Sequence, residues 1–209
     1  IRFQAMRGLF DGTKQLFIHA NTTKEIKQAV LFSKRMGIKK MVLVGAKESW
    51  RLADFLAENE VPVILNRIHR LPMHKSDAID IAFKTPKILL DAGVLFCLDY
   101  QGDMERMGSR NLPFTAGTTV AYGLTKEEAL MSITLNTAKV LGIAENLGSL
   151  EAGKEATLFV SDGDALDMLT NRVSLAFIRG KKLDLSNHQT QLYQKYKEKH
   201  KRELNPHSN

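Results

Sequence analysis

The sequence predicts an α/β fold in which short parallel strands alternate with helices. Three observations support this fold class: four short segments are apolar on both faces, helical apolar spacing separates them, and polar or glycine-containing stretches bound them. Strands that are apolar on both faces are typical of parallel sheets covered by helices. Such units build either a (β/α) barrel or an open doubly wound sheet. The predicted strands are residues 15–20, 39–46, 61–65 and 94–100.

Helices are predicted between these strands. Residues 24–37 place Ile26, Ala29 and Val30 at helical spacing and stop at Gly37. Residues 47–60 form a second predicted helix, and residues 76–93 a third. Proline lacks the N–H that a helix interior needs, so Pro86 is expected to break or restart this third helix.

After residue 111 the pattern changes to three consecutive helical pieces, and then to β structure with glycine-rich turns. Thr125 and Glu128 form a capping box at the start of the second piece. The tail segment after residue 188 predicts a basic amphipathic helix with Leu192 and Tyr196 on one face. The predicted parts are residues 1–147, an α/β portion; 148–185, a small β appendix; and 186–209, a basic helix or tail.

Composition restricts the possible partners. The chain has 209 residues and a net charge of +7, of which +4 lies in residues 181–209. A basic helix end is typical of a solvated surface, so nucleic-acid binding is not expected. No apolar run approaches the roughly 20 residues of a membrane span, so no membrane partner is expected either. Cys97 is the single cysteine, which excludes an internal disulfide and predicts a buried core thiol.

The first residues do not resemble a secretory signal, because residues 1–10 lack both an apolar run and a cleavage site. The sequence starts at Ile1 rather than at methionine, which predicts a processed, trimmed or partial chain. The compartment therefore stays open between the cytoplasm, which we favour, and a periplasmic or secreted location.

Two segments carry a resemblance to a known family. They are TLNTAKVLG at residues 134–142 and GSLEAGKEATL at residues 148–158, and the turn at residues 179–182 adds to them. Together they are similar to the C-terminal signature of the metal-dependent amidohydrolase superfamily, which includes imidazolonepropionase-like, dihydroorotase-like and cytosine-deaminase-like enzymes. Gly148 and Gly153 flank a tight turn in which a positive φ is expected. The resemblance covers residues 10–185.

The resemblance implies the C-terminal half of a (β/α)8 TIM-like barrel, followed by a small β appendix from the family's composite β-sandwich. The four strand–helix units would be barrel strands five to eight. The H-x-H metal pair of the first barrel strand does not occur in this sequence. A half barrel leaves two strand edges unpaired. We therefore expect the missing N-terminal half or another copy of the chain to cover these edges, and a homo-oligomer is expected.

The resemblance also implies site residues. His19, at the end of the first strand, matches a metal histidine, and Asp99 is the candidate metal ligand and general base at the end of the fourth. The usual family spacing falls on Gln101, which cannot act as a base, and Asp103 in the following loop is the alternative to Asp99. The second strand ends without the histidine of two-metal members. Glu48 follows that strand as an oxygen ligand, a substrate contact or a residue that stabilises a helix N-terminus.

Substrate contacts are expected from the loops at the same strand ends. Arg106 and Arg110 could bind a substrate carboxylate through the paired N–H groups of their guanidinium groups. His69 could also contact substrate. Alternatively, all three are ordinary surface residues, or Arg106 or Arg110 pairs with Glu105.

The expected function is that of a hydrolase acting on carbon–nitrogen bonds other than peptide bonds. A divalent metal, zinc or iron, would activate water to attack a cyclic or linear amide in a small-molecule substrate. This chain alone is expected to lack both activity and a complete metal set. The alternative is a non-catalytic relative that has lost the metal site. A nucleotide-binding sheet is disfavoured, because no glycine-rich phosphate motif follows a strand.

Overall fold

The structure is a computed structural model that describes residues 2–101 and 105–200, without the side chains of Arg2, Glu105, Arg106 and His200. Its centre is a parallel sheet of four strands in the order β1-β2-β3-β4. The strands are β1 (Leu16–Ala20), β2 (Met41–Gly45), β3 (Val63–Leu65) and β4 (Phe96–Leu98). All four lie inside the predicted segments, so the prediction of a mixed α/β fold with a parallel sheet is confirmed.

Helices precede β1 and connect the strands. Two short helices, α1 (Arg2–Ala5) and α2 (Arg7–Asp11), lead into β1. The connections then carry α3 (Thr23–Arg35), a 3-10 turn (Ser49–Leu52) with α4 (Ala53–Glu58), and α5 (Ile81–Asp91). Thr22 begins α3 through a capping box with Glu25, which satisfies N–H groups that a helix start leaves without partners.

The predicted break at Pro86 is wrong, since α5 continues through this proline to Asp91. The helix starts at Ile81, five residues after the predicted beginning. Pro86 is therefore in the middle of the helix, where it removes one backbone hydrogen bond. The Thr85 hydroxyl donates a 2.8 Å hydrogen bond to the Ile81 carbonyl, and both Thr85 and Pro86 are buried. Packing thus holds the helix together across the proline.

Alternate residues of the four strands form two faces. One register row consists of Ile18, Leu43, Val63 and Phe96. We call this the core face, because Leu43, Val63 and Phe96 are each at most 1% exposed within the main apolar core. The other face, here called the site face, is defined by the row His19, Val44, Ile64 and Cys97.

Four further helices follow β4. They are α6 (Glu105–Gly108), α7 (Leu112–Val120), α8 (Lys126–Ile133) and α9 (Leu135–Leu141). The predicted capping box of Thr125 with Glu128 starts α8 and is confirmed. Helix α9 covers part of the site face, where Val140 packs with Val42 and Cys97 in a second apolar cluster.

The second sheet is antiparallel and has the order β5-β6-β7. Its strands are β5 (Leu158–Ser161), β6 (Val173–Ile178) and β7 (Lys181–Lys182). Arg179 and Gly180 both have positive φ and join β6 to β7 in a two-residue hairpin turn. Gly148 and Gly153 have φ of +97° and +94°, as predicted for the turn before β5.

The tail forms α10 (His188–His200), where the basic helix was predicted, with Leu192 and Tyr196 exposed. Across residues 2–101 and 105–200, no helix is both long and apolar enough to cross a membrane.

Candidate active site

His19 and Asp99 lie on the same face and at the same end of the parallel sheet. His19 is exposed near the carboxyl end of β1, and Asp99 directly follows β4, where its N–H donates to the Leu65 carbonyl at 3.1 Å. Side chains two residues apart in a strand share a face, so Asp99 continues the face of Cys97. Parallel strands place their carboxyl ends together, and in barrel enzymes this end carries the site.

The Asp99 carboxyl is partly buried, and its surroundings act on its pKa in opposite directions. Burial raises the pKa and is the largest influence. The Gln101 backbone N–H, which donates to Asp99 Oδ1 at 3.3 Å, and the charge of His19 both lower it. The net result is a raised pKa, which makes Asp99 a better proton acceptor than an exposed aspartate.

Gln101 has a structural part in this arrangement. Its backbone N–H contacts Asp99 Oδ1, while the residue itself is exposed beyond the end of β4. Gln101, the residue at the usual family spacing, therefore holds the Asp99 carboxylate through its backbone N–H. Asp99 is the acidic side chain that the described sheet presents beside His19, whereas Asp103 lies outside the described residues.

At the end of β2, the site face carries an apolar side chain rather than a polar one between these two positions. Val44 is the register partner of His19 and is buried, and Gly45 follows with φ of +94°. A Cβ on Gly45 would lie 2.6 Å from Asn21 Oδ1, so this position favours glycine. Asn21 Oδ1 itself is buried without a hydrogen-bond partner in the described part of the chain.

Cys97 is the next side chain down the site face from Asp99. It is 2% exposed, is hydrogen-bonded to the side chain of Thr137 in α9, and is a buried thiol as predicted. Burial raises its pKa to about 11, and the Asp99 charge contributes in the same direction. The thiol is therefore protonated at neutral pH and is a poor metal ligand there.

The buried carboxylate of Glu48 makes hydrogen bonds that the sequence alone did not predict. Its carboxylate is 4% exposed, and Oε2 accepts from the Thr23 N–H at 2.7 Å and the Thr23 hydroxyl at 2.9 Å. Oε1 pairs with His74 Nε2 at 2.6 Å. Burial raises the pKa of Glu48, but the Thr23 and His74 hydrogen bonds outweigh it and leave the pKa lowered. Glu48 thus stabilises the N-terminus of α3, whereas the sequence predicted this role for the helix that Glu48 itself begins.

The contacts of Glu48 connect consecutive loops at the carboxyl end of the sheet. Thr23 follows β1, Glu48 follows β2, and His74 lies in the long segment after β3. Arg70 adds a 2.8 Å hydrogen bond to the Lys47 carbonyl, and Arg51 pairs with Asp77. A motif search does not find such a network, because its members are widely separated in sequence.

The predicted substrate-binding residues are not brought together by any described contact. His69 is hydrogen-bonded through Nε2 to Thr118 in α7 at 2.9 Å, and its ring lies 5.7 Å from that of Phe83. Arg110 is exposed in the 3-10 turn Ser109–Asn111. The side chain of Arg106 lies outside the described residues. The role of all three in substrate binding stays a prediction.

The described residues do not form a complete metal site. Within the described ranges there is no group of three or more His, Cys, Asp or Glu side chains placed to hold a metal ion. His19 and Asp99 are two suitable donors, whereas a catalytic zinc takes three protein ligands and a water molecule. Any metal bound here would need at least one further donor, so no reaction step is assigned to a metal.

Comparison with known proteins identifies the family. The model of the amidohydrolase family matches residues 11–183. An imidazolonepropionase of Shewanella sp. (strain MR-4) is 44% identical over 64 residues, which are 31% of this chain and 15% of that enzyme. An imidazolonepropionase of Thermoplasma volcanium is 33% identical over 89 residues, 42% of this chain and 22% of that enzyme.

Solved structures agree with this assignment. An amidohydrolase from Thermotoga maritima MSB8 superposes with a TM-score of 0.74 at 25% identity, over 88% of this chain and 46% of that one. An adenosine deaminase from Xanthomonas campestris with bound zinc has a TM-score of 0.59 at 19% identity, over 95% of this chain and 53% of that one, and supports the fold alone. The chain thus spans about half the length of these structures. The family model covers most of the sequence, and the chain belongs to the amidohydrolase family.

Proposed function

We propose that this chain forms the C-terminal half of a (β/α)8 barrel and supplies His19 and Asp99 to a metal-dependent hydrolase acting on carbon–nitrogen bonds other than peptide bonds. The observation that carries the proposal is the placement of these two side chains on one face and at the carboxyl end of the parallel sheet. They come from the first and last strands of the sheet, yet the His19 charge lowers the pKa of Asp99.

The strand order supports a barrel wall. The four strands pair in sequential order, β1-β2-β3-β4. Doubly wound sheets instead reverse their order at a switch point, whereas consecutive strand–helix units of a (β/α) barrel lie side by side in sequence order.

His19 and Asp99 would have different roles. His19 would supply an imidazole nitrogen, a ligand type that suits zinc or iron. Asp99 would take a proton from the attacking water, helped by its raised pKa and held by the Gln101 N–H. A divalent metal, when bound, lowers the pKa of its water ligand. The remaining donors would come from protein outside this chain.

Small-molecule amides, cyclic or linear, are the proposed substrates. Arg106 and Arg110 follow β4 in sequence and could hold a substrate carboxylate through paired N–H donors. The imidazolonepropionases among the relatives support this class by their name. The matched parts cover 15% and 22% of those enzymes, so the particular amide is left open.

The free edges of the sheets suggest what completes the protein. In the described chain, β1 and β4 each pair with a single strand. Phe17 on the site face is 40% exposed, and Phe159 in the second sheet is 48% exposed. We propose that the barrel's other half, or a second copy of this chain, covers these surfaces. Light scattering of the full-length protein tests the second case directly, since a homo-oligomer has a multiple of the monomer mass.

The decisive experiment uses the full-length protein that carries this chain. Metal content is measured after purification with zinc or iron, and hydrolysis is assayed on a panel of cyclic and linear amides. His19→Asn and Asp99→Asn are each expected to lower kcat/KM by about 10²–10⁴-fold. His188→Asn is the matched control, because His188 begins the tail helix α10. Full activity of both site variants would exclude the proposed roles, and turnover by residues 1–209 alone would exclude the need for further donors.

A non-catalytic relative is the second candidate function. The buried Val44 beside His19, and Gln101 at the family's usual aspartate spacing, favour it. Such a protein would retain the fold and bind a ligand or partner. Stoichiometric metal in the full-length protein would support the hydrolase, and metal-free protein after metal-replete purification would support the binding protein.

A further inference from the structure

A cleft of about 590 Å³ lies between α7, the start of α8 and the loop 162–172 that connects β5 to β6. This volume is within the range of about 300–1,000 Å³ for small-molecule sites. Its walls include the apolar side chains of Phe114, Val120, Leu166 and Met168. Neither His19 nor Asp99 lines it.

The loop that forms one wall is fixed by specific contacts. Leu166 is 9% exposed and belongs to the main core, and its N–H donates to Asp164 Oδ1 at 2.9 Å. A Cβ on Gly117 of α7 would lie 2.2 Å from the Leu166 carbonyl oxygen, so the loop and the helix are in direct contact. The Asn171 side chain donates to the Ala165 carbonyl at 2.8 Å. The cleft is therefore largely pre-formed.

His69 lines the cleft, and its hydrogen bond to Thr118 determines which ring nitrogen is the acceptor. The Thr118 hydroxyl has one proton, which it donates to the Phe114 carbonyl at 3.0 Å. His69 Nε2, 2.9 Å from the same hydroxyl oxygen, must then be the donor of that contact. Burial, and secondly the charge of Arg67, lower the pKa of His69, so the ring is neutral at pH 7. In a neutral ring with a protonated Nε2, Nδ1 is an acceptor.

The charged side chains of the cleft carry a net negative charge. Lys126 Nζ pairs with Asp164 Oδ2 at 2.6 Å, which balances one carboxylate. Asp167 accepts from the Leu169 N–H at 3.1 Å and from the Thr170 hydroxyl at 2.7 Å, both uncharged donors. These hydrogen bonds lower the pKa of Asp167. Lys126 also interacts with the Asp167 charge, but two carboxylates face this one cation in the cleft lining. Each Asp167 oxygen can accept a further hydrogen bond.

We propose that this cleft binds a small organic cation with an aromatic or branched apolar body and a primary ammonium group. The apolar body would lie against Phe114 and Leu166 and would cover Met168, which is 66% exposed. The ammonium group would donate to Asp167 and to His69 Nδ1. The proposal does not depend on the hydrolytic function, because it uses neither of the two residues assigned to hydrolysis.

Three probes of similar shape test it on the full-length protein by calorimetric titration: 2-phenylethylamine, 3-phenylpropanoate and 2-phenylethanol. The amine is expected to bind with a Kd on the order of 1 mM. The carboxylate probe should bind at least about tenfold more weakly, because it replaces charge-assisted hydrogen bonds with repulsion. Equal affinity for all three probes, or no saturable binding of the amine up to about ten times that concentration, would overturn the proposal.

Two variants connect the binding to the residues. Asp167→Asn retains an oxygen for the Leu169 N–H and should weaken amine binding by about tenfold, with little effect on 2-phenylethanol. Asp184→Asn is the matched control, since Asp184 accepts from the Ser186 N–H and hydroxyl at 2.9 Å each and lies outside the cleft lining. An unchanged Kd in Asp167→Asn contradicts the assignment.

Met168→Lys provides a second test that leaves Asp167 unchanged. Because the Met168 side chain is mostly exposed, a lysine there is compatible with folding. The added positive charge should weaken amine binding and strengthen 3-phenylpropanoate binding. If Met168→Lys leaves the affinities of both probes unchanged, the cleft is not where they bind and the proposal fails.

Discussion

The core face and the site face of the parallel sheet are made by alternating residues of the same four strands, yet they are buried to different extents. On the core face, Leu43 and Val63 are fully buried under helices. On the site face, Phe17 is 40% exposed, and burial is complete only where α9 covers Val42. This contrast assigns different roles to the two faces: the core face holds the fold together, and the site face leaves His19 exposed and Asp99 half-buried.

The largest expected effect is on stability and depends on the face. Leu43→Ala removes a fully buried side chain from the core face and should lower the free energy of unfolding by about 2–5 kcal/mol. Phe17→Ala, on the exposed part of the site face, should cost about 1 kcal/mol or less. Urea denaturation of both variants measures the difference. Equal losses would mean that the site face is as tightly packed as the core face.

The second effect concerns the covered part of the site face. The pKa of Cys97 is about 11 rather than the usual 9.0, so its thiolate fraction near pH 8 is about a hundredfold lower than in the unfolded chain. Alkylation by iodoacetamide should therefore be at least about a hundredfold slower in folded than in urea-unfolded protein. Val140→Ala removes part of the α9 cover and should accelerate it. Similar rates in the folded and unfolded protein would show that α9 does not protect this surface.

The third effect concerns the hydrogen bonds of Glu48 at the carboxyl end of the sheet. Glu48→Gln should lower stability at pH 7 by about 1–3 kcal/mol, because it removes a buried charge that Thr23 and His74 satisfy. The lowered pKa of Glu48 means that its contribution is present above the unfolded value of 4.5 and disappears as the pH falls through the folded value. The gap between wild type and variant should therefore shrink below about pH 4.

Glu58→Gln is the control for this pH dependence, since Glu58 is exposed at the end of α4. It should leave stability within about 0.5 kcal/mol at every pH. A constant gap between wild type and Glu48→Gln across the acid range would mean that the Glu48 charge does not stabilise the fold.

The smallest effect has the opposite sign. Asp99 has a raised pKa in the folded protein, so its ionised form opposes folding, and stability is lost as pH rises from the unfolded pKa through the folded one. Asp99→Asn should therefore raise stability at pH 7 by a few tenths of a kcal/mol. Thermal unfolding at pH 7 and at pH 3 tests this, with the gain expected only at pH 7. A loss of stability at pH 7 would show that the carboxylate is structurally required.

Much of the fold could be predicted from local patterns, because apolar runs and caps act over a few residues. The four strands, the Thr125–Glu128 capping box and the turn glycines are examples. The continuity of α5 through Pro86 could not be predicted in this way, since it depends on the packing of the buried residues around the proline. The same applies to α9, whose helical pattern predicts its existence but not its position over Cys97.

The positions of the candidate site residues on the sheet could be predicted from strand alternation. The contacts between residues far apart in sequence could not. Alternation along β4 places Asp99 on the face of Cys97, and the end of β1 places His19. The partners of Glu48 lie 25 and 26 residues away, in loops whose approach depends on the complete sheet. The contact of His69 with Thr118 spans 49 residues and was equally inaccessible to sequence patterns.

The position of α9 has a consequence for folding during translation, because α9 is synthesised after the strands that it covers. Gln15 donates a hydrogen bond to the Val140 carbonyl at 3.2 Å, across 125 positions of the chain. A ribosome adds about 5–20 residues per second, so α9 emerges roughly 2–8 seconds after β4. During that interval the apolar surface around Val42 and Cys97 lacks its α9 cover on the nascent chain. The nascent chain therefore exposes this apolar surface until α9 is added, and we expect chaperones that bind apolar segments to act in this interval.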